Sequence, residues 1–233
     1  MAHILVRVVQ AVSILGCIAS FFYYLFCLWS AQAFFRSAAA AAHNSGTSLP
    51  PVSILKPLKG VDPEIYESFR SHCTQEYPAE YEIIFGVSDP ADPAVASVEQ
   101  LQRECPERAI RLVVCPKIMG ANVKVSNLEQ MLAASRFEHL VVNDSDILVE
   151  PDYLHRIVAP LADMKVGMVT CLYRGIAART LGSRLESLGI STDFCAGVLA
   201  ARQLEGGLRF GLGSTLAFRR TDLGSIAGSG IRS

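Results

Sequence analysis

The sequence predicts a mostly parallel α/β sheet flanked by helices and preceded by one transmembrane helix, and three observations carry that prediction. Short apolar runs alternate with helical segments of roughly ten residues, the pattern of βαβ crossovers. Val8 to Phe35 contains no charged residue and is long enough to cross a bilayer. The run Leu140-Val-Val-Asn-Asp-Ser-Asp146 passes abruptly from apolar residues to two carboxylates spaced i, i+2. A short apolar run closed in this way reads as a buried strand, with both carboxylates at its carboxyl end, the edge where open α/β sheets bind ligands.

Taken in order, residues 1–36 form an anchor. Tyr23, Tyr24 and Trp29 suit the interface near its second end. A cleaved signal peptide would have an apolar core of only ~7–15 residues, so the length argues for a retained helix. Arg7 lies on one side and Arg36, Lys56 and Lys59 on the other, which points to a cytoplasmic main domain. Residues 37–50 read as a small-residue linker whose alanine run can extend the helix.

The domain is expected over 51–223. Strands are expected at 52–56, 81–87, 110–114, 139–142, 166–172 and 214–218. Helices are expected from Asp62-Pro63 to about Cys73, and over 93–104, 122–135, 151–159 and 178–194. In the last of these, Leu181, Leu185, Leu188 and Phe194 fall near one face, and core packing is the default meaning of such a stripe. Residues 224–233 read as an irregular tail.

Composition narrows the function. In 233 residues, 21 Lys plus Arg nearly balance 22 Asp plus Glu, so the electrostatic footprint of a nucleic-acid binder is missing. The seven cysteines are scattered, with no CxxC and no histidine at metal spacing. They fit reduced thiols better than a disulfide framework or a zinc site.

Four patches at strand ends carry the chemistry. Asp144 and Asp146 point the same way on an extended chain, so both can face one divalent cation, Mg2+ or Mn2+, that in turn holds a diphosphate. The competing reading is an Asx turn closing a strand. Lys56-Pro-Leu-Lys59-Gly60 follows the first domain strand. Ser88-Asp89-Pro-Ala-Asp92-Pro follows the second, where a carboxylate accepts hydrogen bonds from a base or ribose, or Asp92 simply caps the next helix. In Gly120-Ala-Asn122-Val-Lys124-Val-Ser-Asn127, Lys124 stands near a helix start, placed to neutralise a phosphate or merely exposed to solvent. Together the patches suggest a nucleotide-sugar site.

The order Pro-Val-Ser-Ile-Leu-Lys-Pro-Leu-Lys-Gly-Val-Asp (51–62), Asp89-x-x-Asp92-Pro-Ala, Gly120-x-Asn122-x-Lys124-x-x-Asn127-Leu and Asn143-Asp-Ser-Asp146 resembles the ceramide glucosyltransferase family (glycosyltransferase family 21), including bacterial members associated with hopanoid lipids. The resemblance covers about Pro50 to Asp222. It implies a GT-A type fold and inverting transfer of a hexose from a UDP-sugar to a lipid hydroxyl, on ceramide or a hopanoid, at the cytoplasmic face. It also implies that Asp92 lies near the nucleotide, that Lys124 is the lysine of the third motif, and that Asp144, with Asp146 beside it, is at the metal–diphosphate site; Lys56 and Asp89, from their strand-end patches, complete the expected nucleotide-sugar contacts. Ser191-Thr-Asp193-Phe-Cys-Ala-Gly197 aligns with a family region near the acceptor, where eukaryotic members carry histidine in place of Asp193.

One departure matters. The family places a general-base aspartate in a Glu-Asp pair, and then a (Gln/Arg)-x-x-Arg-Trp motif, after the segment equivalent to Asp222. This sequence has neither, and its only tryptophan is Trp29. The expectation is therefore a chain interrupted at its C-terminal end, with the base beyond Ser233. The alternative is a non-enzymatic membrane protein that binds nucleotide sugars. The sugar, the lipid, the metal and the oligomeric state are not set by the sequence.

Overall fold

The computed structural model describes residues 1–42, 49–62 and 64–223. Pro63 at the expected helix start, the 43–48 part of the expected linker and the 224–233 tail lie outside the described residues. The chain divides into two compact units, Met1–Ser45 with Leu172–Phe210, and Gly46–Cys171 with Gly211–Ser233.

Helix α1 (Ala2–Ala42) opens the first unit and continues through the alanine run past residue 36. Its segment from His3 to Ala38 is apolar and long enough to cross a membrane.

The second unit holds a six-stranded sheet of β1 (Val52–Pro57), β2 (Tyr81–Val87), β3 (Ala109–Val114), β4 (His139–Asn143), β5 (Met168–Thr170) and β6 (Thr215–Arg219), in the order β3-β2-β1-β4-β6-β5. β1 pairs parallel with β2 and β4, and β2 pairs parallel with β3. β6 is antiparallel to both its neighbours. The strand order reverses between β1 and β4, which makes their carboxyl ends the switch point where such sheets open a crevice.

Four helices flank this sheet: α2 (Ile65–Cys73), α3 (Ala94–Glu104), α4 (Val123–Ala134) and α5 (Tyr153–Val158). The central strands are buried on both faces, as parallel strands covered by helices must be. Alternation sorts their side chains. Ile54, Ile83, Phe85 and Val141 pack with Phe69 of α2, Leu101 of α3 and Ile157 of α5, whereas Leu55, Ile84, Leu140 and Phe218 pack with Met131 of α4. At Gly86 an added Cβ would stand 2.3 Å from the Met131 sulfur, so β2 needs glycine there for α4 to approach.

Back in the first unit, α6 (Leu181–Gly189), a π-helical turn (Ile190–Phe194) and α7 (Cys195–Glu205) form one continuous helical run, ended by Gly206 at φ +67. This corrects two expectations. The helix expected over 178–194 runs on to Glu205, and its leucine stripe does not enter a core. Leu181, Leu185 and Leu188 are 73%, 60% and 59% exposed.

Two buried polar groups shape the stability of the second unit. Glu82 of β2 is wholly buried. It accepts from the Ser53 hydroxyl at 2.6 Å, the Arg136 amide at 2.7 Å, Arg111 Nη2 at 2.8 Å and Arg136 Nε at 3.0 Å. Burial pushes this carboxyl upward, but the hydrogen bonds from Ser53 and Arg136 and the Arg111 charge outweigh it and hold the pKa below the ordinary value. His72 of α2 is also wholly buried, with Nδ1 2.8 Å from the Ser68 carbonyl, so that nitrogen carries the proton. Burial, aided by the nearby Lys56 ammonium, keeps its pKa well below 6.5.

Both groups yield predictions. Glu82→Ala strands two arginines that are only half exposed, and is expected to lower unfolding free energy by about 2–3 kcal/mol in denaturant titration. Folded His72 stays neutral where unfolded His72 takes a proton, so the unfolded chain binds more protons below about pH 6.5 and stability falls as pH drops through that value. Melting curves in detergent from about pH 7 to about pH 5 are expected to show this loss, and His72→Asn is expected to flatten the slope while lowering stability at every pH.

Candidate functional site

The site is built at the carboxyl ends of β1 and β4. Lys56, next to last in β1, has a wholly buried side chain whose Nζ donates to the Asp144 carbonyl at 2.8 Å. Burial lowers its pKa to about 7, while the Asp146 and Asp144 charges pull the other way. β4 ends at Asn143, and the chain then turns through Asp144, Ser145 and Asp146. The Asp144 amide donates to the Ser214 carbonyl at 3.1 Å, which ties this turn to the segment entering β6.

Neighbouring elements fix the turn from beneath. The Ser68 hydroxyl of α2 lies 2.7 Å from both the Ser145 and Ile147 carbonyl oxygens, and the Val149 amide donates to Ser71 Oγ at 3.2 Å. Asn143 is buried. It donates to Thr215 Oγ1 at 2.8 Å and accepts from the Tyr153 hydroxyl at 3.0 Å. Buried polar groups need partners, and these satisfy one another while holding β4, β6 and α5 in register.

From the opposite face of the sheet, Asn122 caps α4 by accepting from the Val125 amide at 3.3 Å, which opens the helix so that Lys124 stands on its first turn. Lys124 Nζ donates to Asp144 Oδ1 and lies 3.4 Å from the Gly213 carbonyl. The two side chains are 40% and 34% exposed, so this ion pair is open to an incoming ligand. Farther along α4, Asn127 is buried and accepts from Ser88 Oγ at 3.0 Å, joining the third motif to the tip of β2.

The carboxylates after β2 have local duties. Asp92 accepts from the Gly60 amide at 3.0 Å and from the Ala94 amide at 2.9 Å, so it caps the start of α3 and also clamps the loop that follows Lys56. Gly60 sits at φ +70, a conformation that favours glycine. Asp89 is exposed and accepts from the Ala91 amide at 2.8 Å, a two-residue Asx turn.

Of the residues predicted from sequence, the structure brings Lys56, Lys124 and Asp144 into direct contact. Asp146 is exposed on the same turn, and Asp89 and Asp92 belong to the neighbouring strand tip. Sequence reasoning missed Ser68, which touches the site turn from α2, and Tyr153 and Thr215, which hold the Asn143 that precedes the turn. Single-sequence patterns give no sign of hydrogen bonds between residues 62–79 positions apart, such as Ser68 to Ile147 or Tyr153 to Thr215.

The donor set suits a hard divalent cation only in part. Two carboxylates one residue apart match the way Mg2+ is held, by one or two carboxylates with substrate phosphates completing the sphere. Among the described residues no group of three or more His, Cys, Asp or Glu side chains is placed to hold an ion by itself. The residues therefore fit a cation shared with a diphosphate and do not form an all-protein cage. A hollow of about 290 Å3 lined by Leu49, His139 and Arg219 lies at the opposite edge of the sheet, away from this chemistry.

Residues 12–231 match the family model Glycosyl transferase family 21. Ceramide glucosyltransferase 3 of Caenorhabditis elegans is 30% identical over 125 residues, 53% of this chain and 27% of the relative. A ceramide glucosyltransferase of Komagataella phaffii is 30% identical over 156 residues, 64% of this chain and 30% of the relative. The chain thus matches less than a third of the length of these curated relatives. Among solved structures, the mannosyltransferase PcManGT from Pyrobaculum calidifontis, in complex with GDP-Man and Mn2+, aligns with a TM-score of 0.59 at 21% identity, over 88% of this chain and 58% of that one. That likeness speaks for the fold, which is of the GT-A glycosyltransferase type. With the motifs in order along the sheet edge and the family model running over nearly the whole sequence, this chain belongs to glycosyl transferase family 21.

Proposed function

We propose that this chain carries the donor site of a membrane-bound hexosyltransferase, which moves a hexose from a UDP-sugar to a lipid hydroxyl of ceramide or hopanoid type, with inversion. The observation that carries the reading is the half-exposed Lys124–Asp144 ion pair at the β1–β4 switch point of a family 21 chain. Such a pair offers a diphosphate both an ammonium and a carboxylate that can share a cation with it.

In this reading Asp144 and Asp146 would hold Mg2+ or Mn2+ shared with the diphosphate. The bound cation supplies charge stabilisation at the phosphate oxygens as UDP departs. Lys124 turns from Asp144 to a phosphate oxygen, adding a second positive charge where negative charge accumulates. Lys56 lies beneath, and its bond to the Asp144 carbonyl keeps the turn in position while the carboxylate is engaged. Asp89 and Asp92 face the nucleoside end, where a carboxylate keeps unused lone pairs for a ribose or base after accepting two amides. The charges on either side of the uncharged stretch Val8–Phe35, Arg7 before it and Arg36, Lys56 and Lys59 after it, support a cytoplasmic sheet domain.

Calorimetry with UDP-glucose and UDP-N-acetylglucosamine in the presence of Mn2+ tests the donor site, and transfer to ceramide and hopanoid acceptors tests the reaction. Asp144→Asn and Lys124→Ala are each expected to weaken metal-dependent UDP binding about tenfold or more, ~1.4 kcal/mol, with little change in thermal stability because the pair is half exposed. Unchanged metal-dependent binding in Asp144→Asn would remove the site assignment. Binding without any glycolipid product would instead support a non-enzymatic nucleotide-sugar binder.

A further inference from the structure

Helix α6 is amphipathic, but its polar side faces the protein. Ser183 Oγ accepts from the Ala178 amide at 2.8 Å, and Ser187 Oγ donates to the Gly175 carbonyl at 2.6 Å. Gly175 makes the approach close enough, since a Cβ there would stand 2.7 Å from the Ser187 Cα. At about 100° per residue, Leu181, Leu185 and Leu188 fall roughly on the side away from these serines. The two serine contacts therefore set the rotation of the helix and hold three leucines outward.

The same compact unit contains α1, which indicates what covers this face. Every described α1 side chain from Val8 to Leu25 is exposed, a stretch of about 27 Å, close to the ~30 Å hydrocarbon thickness of a bilayer. Burial begins only beyond it, with Cys27 and Ser30 buried and the Arg202 guanidinium of α7 5.3 Å from the centre of the Phe34 ring. α7 thus packs on the part of α1 that has passed Tyr23 and Tyr24. The π-helical turn joins α6 directly to the start of α7. α6 is therefore tethered to the helix that packs on α1 beyond its fully exposed stretch. Arg179 and Arg184 are exposed alongside the leucines, placed to reach lipid headgroups while the leucines sit lower.

We propose that α6 lies in the membrane interface, with Leu181, Leu185 and Leu188 among the upper acyl chains and Arg179 and Arg184 at the headgroups. This goes beyond the glycosyltransferase reading and shares with it only the span assigned to α1. It makes the Leu172–Phe210 segment a second membrane contact that fixes the tilt of its unit against the bilayer.

The test uses the full chain in vesicles of phosphatidylcholine and phosphatidylglycerol, with and without phosphatidylcholine brominated near the headgroup end of its acyl chains. Trp29 is the only native tryptophan, so its quenching in the unaltered chain reports on α1 alone. In a Trp29→Phe background, Leu185→Trp is expected to give blue-shifted emission that is lost with the brominated lipid, and Glu186→Trp, near the serine side, is expected to keep its emission. Both substitutions fall at exposed positions, so folding is preserved. Water-like, unquenched emission from Leu185→Trp overturns the proposal, as does blue-shifted but unquenched emission, which would mean a protein partner covers the face. Equal quenching at both positions overturns the assigned orientation. Quenching of Leu185→Trp without quenching of Trp29 would sustain α6 as an interfacial helix and set Trp29 above the brominated depth.

Discussion

The buried ammonium of Lys56 is the contact on which the site depends. A lysine side chain with no solvent exposure is costly to bury, and the structure offsets that cost with one strong acceptor, the Asp144 carbonyl, and with the nearby Asp144 and Asp146 charges. The same bond fixes the backbone at the point where β4 ends and the acidic turn begins. Because β1 and β4 are parallel neighbours in register from Val52–His139 to Leu55–Val142, a lysine just past that register comes level with the turn. Strand pairing thus delivers the contact, and the contact in turn fixes the backbone of the aspartate whose carboxylate bonds Lys124.

Around this centre the polar groups are arranged in tiers. Lys124 and Asp144 form the outer tier, half exposed and able to exchange partners. Asn143, Thr215 and Ser68, buried, and the partly buried Tyr153 form the inner tier, bonded to each other or to the turn's carbonyls. An exposed pair contributes little to stability, whereas an inner network that lost one member would leave buried polar atoms unsatisfied. Rigidity therefore resides beneath the site and adaptability at its surface, the division that a ligand-exchanging position requires.

The first unit follows a different rule, because its helices are not organised around an apolar interior. α1 is exposed from Val8 to Leu25 and α6 turns its leucines outward, while serine hydroxyls and a glycine make the inward contacts of α6. In water such an arrangement forfeits burial of apolar area. It is consistent with surroundings that are themselves apolar, in which the usual sense of an amphipathic helix is reversed.

Much of this protein was legible in its sequence because the relevant signals are local. Apolar runs bounded by glycine and proline marked the six strands to within a few residues, since strand burial and breaker chemistry act over short distances. The strand-end positions of Lys56 and Asp144 and the helix-start position of Lys124 followed from the same local signals, and the motif order identified the family. The sequence did not reveal that Asp92 would bind the Gly60 loop as well as cap its own helix, that Lys124 would meet Asp144 across α4 and β4, or that Ser68 would brace the turn. Those contacts join residues 32, 20 and 77 positions apart, and they exist only once the sheet order is set. The leucine stripe of α6 makes the same point from the other side. Its spacing determined that the helix has an apolar face, but only the tertiary contacts of Gly175 and Ser187 decided which way that face points, because rotation about a helix axis is fixed by what packs against it.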